Sequence, residues 1–193
     1  EACSRCRSQW GRRGSPWAAG TPLVERDQLS VDRPASELRP GLGDLRVLRE
    51  DGSQTAPARP ITLRHLLTHT SGLANPLWSR RLTAHRQQLG DAASEDDADL
   101  LMFDPGEPWQ YSSGIDWAGR MIETASGQRL DAYIEQHITA PLGMRDTAFA
   151  VPAGSEPRLS AIYRRPQGGG ALEEQPFAVP APNRAGGSGL VST

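Results

Sequence analysis

FDPGEPWQYSSGIDWAGRMIE, residues 103–123, decides how this chain is read. Its first half is a turn, because Pro105, Gly106 and Pro108 all oppose a regular helix. Its second half is a helix. Ile115, Ala118, Met121, Ile122 and Ala125 recur at the spacing of one helical face, and Gly127 stands where such a helix stops. Between the halves lies Tyr111, followed by Ser112, Ser113 and Gly114. A tyrosine beside a tryptophan ordinarily packs at a core edge with its hydroxyl bonded. This one sits at a helix entrance, and read alone the stretch favours that packing role.

The flanking segments alternate short helices with tight turns. ITLRHLLTHTSGL, residues 61–73, predicts a helix capped by Thr62, with Leu63, Leu66 and Leu67 buried and Gly72 at its left-handed terminus. LRVLRED and SQTAPARP predict a hairpin around Asp51-Gly52. Residues 75–102 are expected to be mostly helical, with a helix starting at Ser94. RLDAYIEQHITAPLGM, residues 129–144, places Leu130, Tyr133, Ile134 and Ile138 on one helical face and stops at Pro141. LSAIYRR and ALEEQ flank PQGGG as a second hairpin.

Composition excludes several function classes. A length of 193 residues suits one domain with a core. A net charge of -2 gives no broad basic surface, so no nucleic-acid partner is expected. No apolar run approaches the ~20 residues of a membrane span. All 21 basic residues are arginine, so no lysine amine is available to shuttle a proton. Cys3 and Cys6 lack the second ligand pair a zinc site needs and the strand-to-helix setting of a redox motif. His65 and His69, four apart, would share a helical face. They lack the glutamate of a zincin motif and flank a leucine stripe, so a structural role is expected and no metal. The glycines at 168–170 and 185–189 lack the lysine and the spacing of phosphate loops, so no cofactor is expected.

Four segments in order carry a family resemblance: ITLRHLLTHTSGL, FDPGEPWQYSSGIDWAGRMIE, SGQRLDAYIEQHITAPLGMRDTAF and GGSGLVST. Together they resemble serine hydrolases of the class C beta-lactamase type, which include penicillin-binding DD-peptidases and family VIII carboxylesterases; IDWAGR is most similar to the esterase branch. The resemblance implies acyl transfer through a serine activated by a Ser-x-x-Lys motif, a tyrosine acting as general base or proton relay, and a third motif on a C-terminal strand. Tyr111 falls on that tyrosine and Ser113 on the position usually held by asparagine. Trp109 and Ser112 are expected to line the substrate cleft.

The same resemblance implies what the sequence lacks. Ser-x-x-Lys is expected near residues 8–12, but neither Ser4 nor Ser8 is followed by a lysine. Loss of such a nucleophile removes on the order of 10⁶ in turnover, about 8 kcal/mol. The expected fold is mainly α with short β-hairpins: a fragment of the α/β beta-lactamase/transpeptidase-like fold, cut at both ends and without most of its central antiparallel sheet. Residues 1–22, free of Leu, Ile, Val, Met and Phe, are expected to be a disordered segment foreign to the family, with the family domain at 23–193. The uncovered sheet-facing surface implies self-association. Three functions fit: a hydrolase of small acyl esters, or of beta-lactams or peptide amides, when completed; a non-catalytic relative that binds ligand or peptide; and a gene fragment without a role.

Overall fold

The computed structural model describes residues 15–75, 79–89, 100–151, 154–175 and 190–192. Five helices and two small hairpins are described. Helix α1 (Ser15–Glu25) leads into two single 3-10 turns. Strands β1 (Val47–Leu48) and β2 (Gln54–Thr55) then pair antiparallel, with Val47 opposite Thr55. Helices α2 (Leu63–Leu67), α3 (Arg80–Leu89), α4 (Gly114–Ser126) and α5 (Leu130–Ile134) follow. Strands β3 (Ile162–Arg164) and β4 (Glu173–Gln175) form the second antiparallel pair. This is the expected helix-dominated fragment, and both hairpins fall where their turn residues placed them.

Helix α4 organises the core. Its stripe of Ile115, Ala118, Met121 and Ile122 is buried, and it packs against α1, α2 and α5. Ala19 and Leu23 of α1, Leu63 and Leu66 of α2, and Leu130, Tyr133 and Ile134 of α5 close around it. Gly127, at φ 68°, ends α4 with its N–H on the carbonyl of Glu123. The Glu123 carboxylate then accepts the N–H of Leu130 at 2.8 Å, satisfying an open donor at the start of α5. A smaller cluster of Leu48, Ala74, Leu82, Leu100 and Met102 joins α3 to the first hairpin.

Three expectations are corrected. Residues 15–22 are helical rather than disordered, and Ala19 is fully buried. Packing explains this: Ala19 and Leu23 are buried in the cluster around α4, which supplies the contact that the aliphatic-free stretch lacks. Burial outweighs the poor local propensity of Gly20 and Pro22. The cysteines lie outside the described residues. Helix α2, secondly, ends at Leu67 rather than near Gly72. Thirdly, α5 gives way after Ile134 to a π-helical turn over Glu135–Thr139, a step that apolar spacing does not reveal. Of the helix expected across 75–102, α3 is present, while the Ser94 start lies outside the described residues.

Candidate active site

The site is built where α2 ends and α4 begins. Thr62 caps α2 reciprocally: its hydroxyl accepts the N–H of His65, and His65 Nδ1 accepts the N–H of Thr62 at 3.2 Å. Burial holds the His65 imidazole below its ordinary value, and the neighbouring Arg59 and Arg64 cations push it the same way. The C-terminal end of α2 is a Schellman motif. The N–H of Thr70 bonds the carbonyl of His65 and that of His69 bonds the carbonyl of Leu66. His69 itself occupies the left-handed position, at φ 58°. The two histidines therefore do not share a helical face. Each ring has its own structural task, and among the described residues no cluster of three metal-ligating side chains forms.

Beyond His69, two stretches of chain run side by side. The carbonyls of Gly72, Thr70 and His69 accept the N–H groups of Met102, Gly106 and Gln110 in turn. The 103–108 turn is fastened from the other side. Asp104 accepts the Arg49 guanidinium at 2.8 Å and the N–H of Ala58 at 2.7 Å, and both bonds hold its carboxyl below the usual carboxylate range. Gly72 is required at φ 85°, because a Cβ there would meet the Phe103 carbonyl oxygen at 2.2 Å.

The residues expected at the site divide between a solvent-facing edge and a buried support. Tyr111 is half-buried, its ring centroid 4.9 Å from that of His69. Trp109 is 65% exposed and meets the same imidazole edge-on at 5.9 Å. Ser113 is the residue at the N-terminal boundary of α4, half-buried, with no side-chain bond to the helix end. Ser112 departs from expectation. It is buried, its Oγ accepts the N–H of Gly114 at 3.2 Å and lies 3.4 Å from His69 Nδ1. It supports the loop and has no surface to offer a substrate. His69 was expected to be structural, but its left-handed position against Tyr111 was not foreseen, because the usual occupant of that backbone position is glycine, and Gly72 three residues on drew that assignment.

A cavity of about 660 Å³ opens elsewhere, lined among others by Glu135, Thr139, Met144, Arg145, Phe149 and Leu190. It includes neither Tyr111 nor any residue of 103–123.

A helical subdomain with a tyrosine held at the entrance to its central helix defines a class: the family model described as Beta-lactamase matches residues 17–193, and the chain belongs to that family. The match begins inside α1, which moves the expected family boundary forward from Leu23. A lovastatin esterase of Penicillium rubens is 32% identical over 166 residues, covering 80% of this chain and 42% of that protein. A monacolin J acid methylbutanoyltransferase of Aspergillus terreus is 36% identical over 137 residues, covering 65% of this chain and 33% of that protein. A simvastatin synthase mutant of Aspergillus terreus superposes with a TM-score of 0.80 at 30% identity, covering 97% of this chain and 48% of that one. The chain thus spans less than half the length of these relatives. No described helix is long and apolar enough to cross a membrane.

Proposed function

We propose that these residues carry the phenol side of an acyl-transfer centre that acts on small-molecule esters. Tyr111 is the proton-handling group, and Ser113 stands at the polar position two residues on. The serine nucleophile and its lysine are not within this sequence, which contains no lysine at all. In the completed centre the serine oxygen attacks the ester carbonyl and the alcohol leaves. The phenol passes the serine's proton towards that leaving oxygen, and an acyl acceptor then releases the acyl group. Relatives named as an esterase and as an acyltransferase support water or a second alcohol as that acceptor.

The observation that carries this reading is the setting of Tyr111: half-buried, at the entrance of α4, beside the exposed Trp109 and on a loop bonded to His69. Two experiments test it. The 193-residue chain should take up no fluorophosphonate probe and should not turn over an activated ester; multiple turnovers abolished by changing one of its own serines would overturn the reading. In a complete reading frame with Ser-x-x-Lys restored, Tyr111→Phe should lower kcat by about 10²–10⁴ without loss of fold.

A further inference from the structure

The geometry points to His69 as the positioning residue for the tyrosine loop: one imidazole in a left-handed backbone position touches Trp109, Tyr111 and Ser112, and its own carbonyl holds Gln110. The functional meaning rests on the reading of Tyr111 above; the structural claim does not.

The first argument is conformational. A residue with a Cβ at φ 58° is strained relative to glycine, and the Schellman terminus of α2 would form more readily with glycine at that place. Backbone geometry alone therefore does not explain a histidine. Strain of this kind persists where the side chain is needed.

The second argument is what the side chain does. Nδ1 lies 3.4 Å from both the backbone nitrogen and the Oγ of Ser112. A backbone N–H can only donate, so this contact is met when Nδ1 carries its lone pair and the ring proton sits on Nε2. Both contacts are long, at the weak end of hydrogen bonding, so packing shares the task. The ring of Tyr111 lies tilted against one side of the imidazole, and Trp109 meets it edge-on. With the His69 carbonyl on the N–H of Gln110 at 3.0 Å, four consecutive residues from 109 to 112 are held by a single residue. The Tyr111 ring is consequently packed from the turn that follows α2, outside its own segment.

Three variants of the full chain separate side chain from backbone. Histidine→glycine at 69 keeps the left-handed geometry and removes the ring. His69→Asn keeps the geometry and offers an amide oxygen where Nδ1 stood. His69→Ala removes both. Amide hydrogen exchange at Ser112 should be about fivefold to tenfold faster in His69→Gly than in the wild type, and close to wild type in His69→Asn. Unchanged Ser112 exchange in His69→Gly would reduce His69 to a helix terminus and overturn the proposal. Nitrogen-15 shifts of the wild-type imidazole give a readout that needs no variant: Nδ1 unprotonated is expected, and an Nδ1–H tautomer overturns the proposal. In the complete enzyme His69→Gly should lower kcat with KM nearly unchanged, and His69→Asn should restore it. If Tyr111→Phe leaves kcat intact while the exchange result holds, the catalytic reading of Tyr111 fails and the positioning role survives.

Discussion

Gly114 faces the carbonyl oxygen of Leu66 so closely that a Cβ on Gly114 would lie 2.7 Å from it. This contact sets how near α4 comes to α2, and so how the 109–113 loop is drawn across the end of α2. A backbone oxygen cannot swing aside as a side chain would. Gly114→Ala should therefore destabilise the chain by about 1–3 kcal/mol, although alanine is the better helix former. Gly20 gives the contrast. A Cβ there would rest 3.8 Å from Leu29 Cδ2 and 4.0 Å from Ile122 Cδ1, an ordinary contact. Gly20→Ala should be neutral or stabilising by up to about 1 kcal/mol. Urea unfolding of both variants checks the pair, and equal effects would contradict the packing described.

The stripe of α4 and its stop at Gly127 were legible because spacing and terminus agree within thirteen residues. The hairpin at Asp51-Gly52 was legible because the turn dipeptide dictates it, and Gly52 adopts φ 84°. The expectation for Tyr111 came from family motifs, not from periodicity. Helix α1 was not, because Ala19, Gly20 and Pro22 have no local reason to be helical until α4 is present to pack against. His69 was not legible either. Its task is defined by residues 109–112, forty positions away, and nothing near it in sequence carries that information.

His65 makes the stability of the chain depend on pH. Burial, then Arg59 and Arg64, disfavour the imidazolium in the folded chain. As pH falls below the ordinary histidine value of 6.5, the unfolded chain takes up the proton and the folded chain resists it. Stability should thus fall on acidification through that range, until the lower folded-state value is passed. Well above 6.5 His65 is neutral in both states and contributes no slope. Protonation also removes the Nδ1 acceptor from the N–H of Thr62. His65→Gln retains an acceptor suited to this capping position and cannot titrate. Thermal unfolding between pH 8 and pH 5 should show a smaller loss of Tm in His65→Gln than in the wild type. Parallel curves would remove His65 as the source.

Tyr133 is buried in the core with its hydroxyl lacking a hydrogen-bond partner among the described residues, and burial pushes its phenol above the ordinary value. The aromatic ring, 4.4 Å from that of His137, supplies the packing. The hydroxyl supplies a desolvation cost with no return. Tyr133→Phe should be neutral or stabilising by about 1 kcal/mol, whereas Tyr133→Ala should cost about 3–5 kcal/mol through the cavity it leaves. A marked loss in Tyr133→Phe, measured by denaturant midpoint at unchanged slope, would mean that the hydroxyl has a partner.

Trp109 tests the solvent-facing edge itself. A tryptophan 65% exposed contributes little to folding, since most of its surface stays in water. Its edge-on contact with His69 fixes where the ring stands; on the function proposed for Tyr111, an ester bound at the phenol would meet an apolar wall there. Trp109→Ala should leave stability within about 0.5 kcal/mol of wild type. In the complete enzyme it should raise KM for bulky acyl esters roughly tenfold, with a smaller effect on acetyl esters and little change in kcat, because the lost contact is made equally in ground and transition states. A fall in kcat at constant KM would instead show that the ring orients the reacting groups. An unchanged KM across the ester series would place the substrate away from Trp109 altogether.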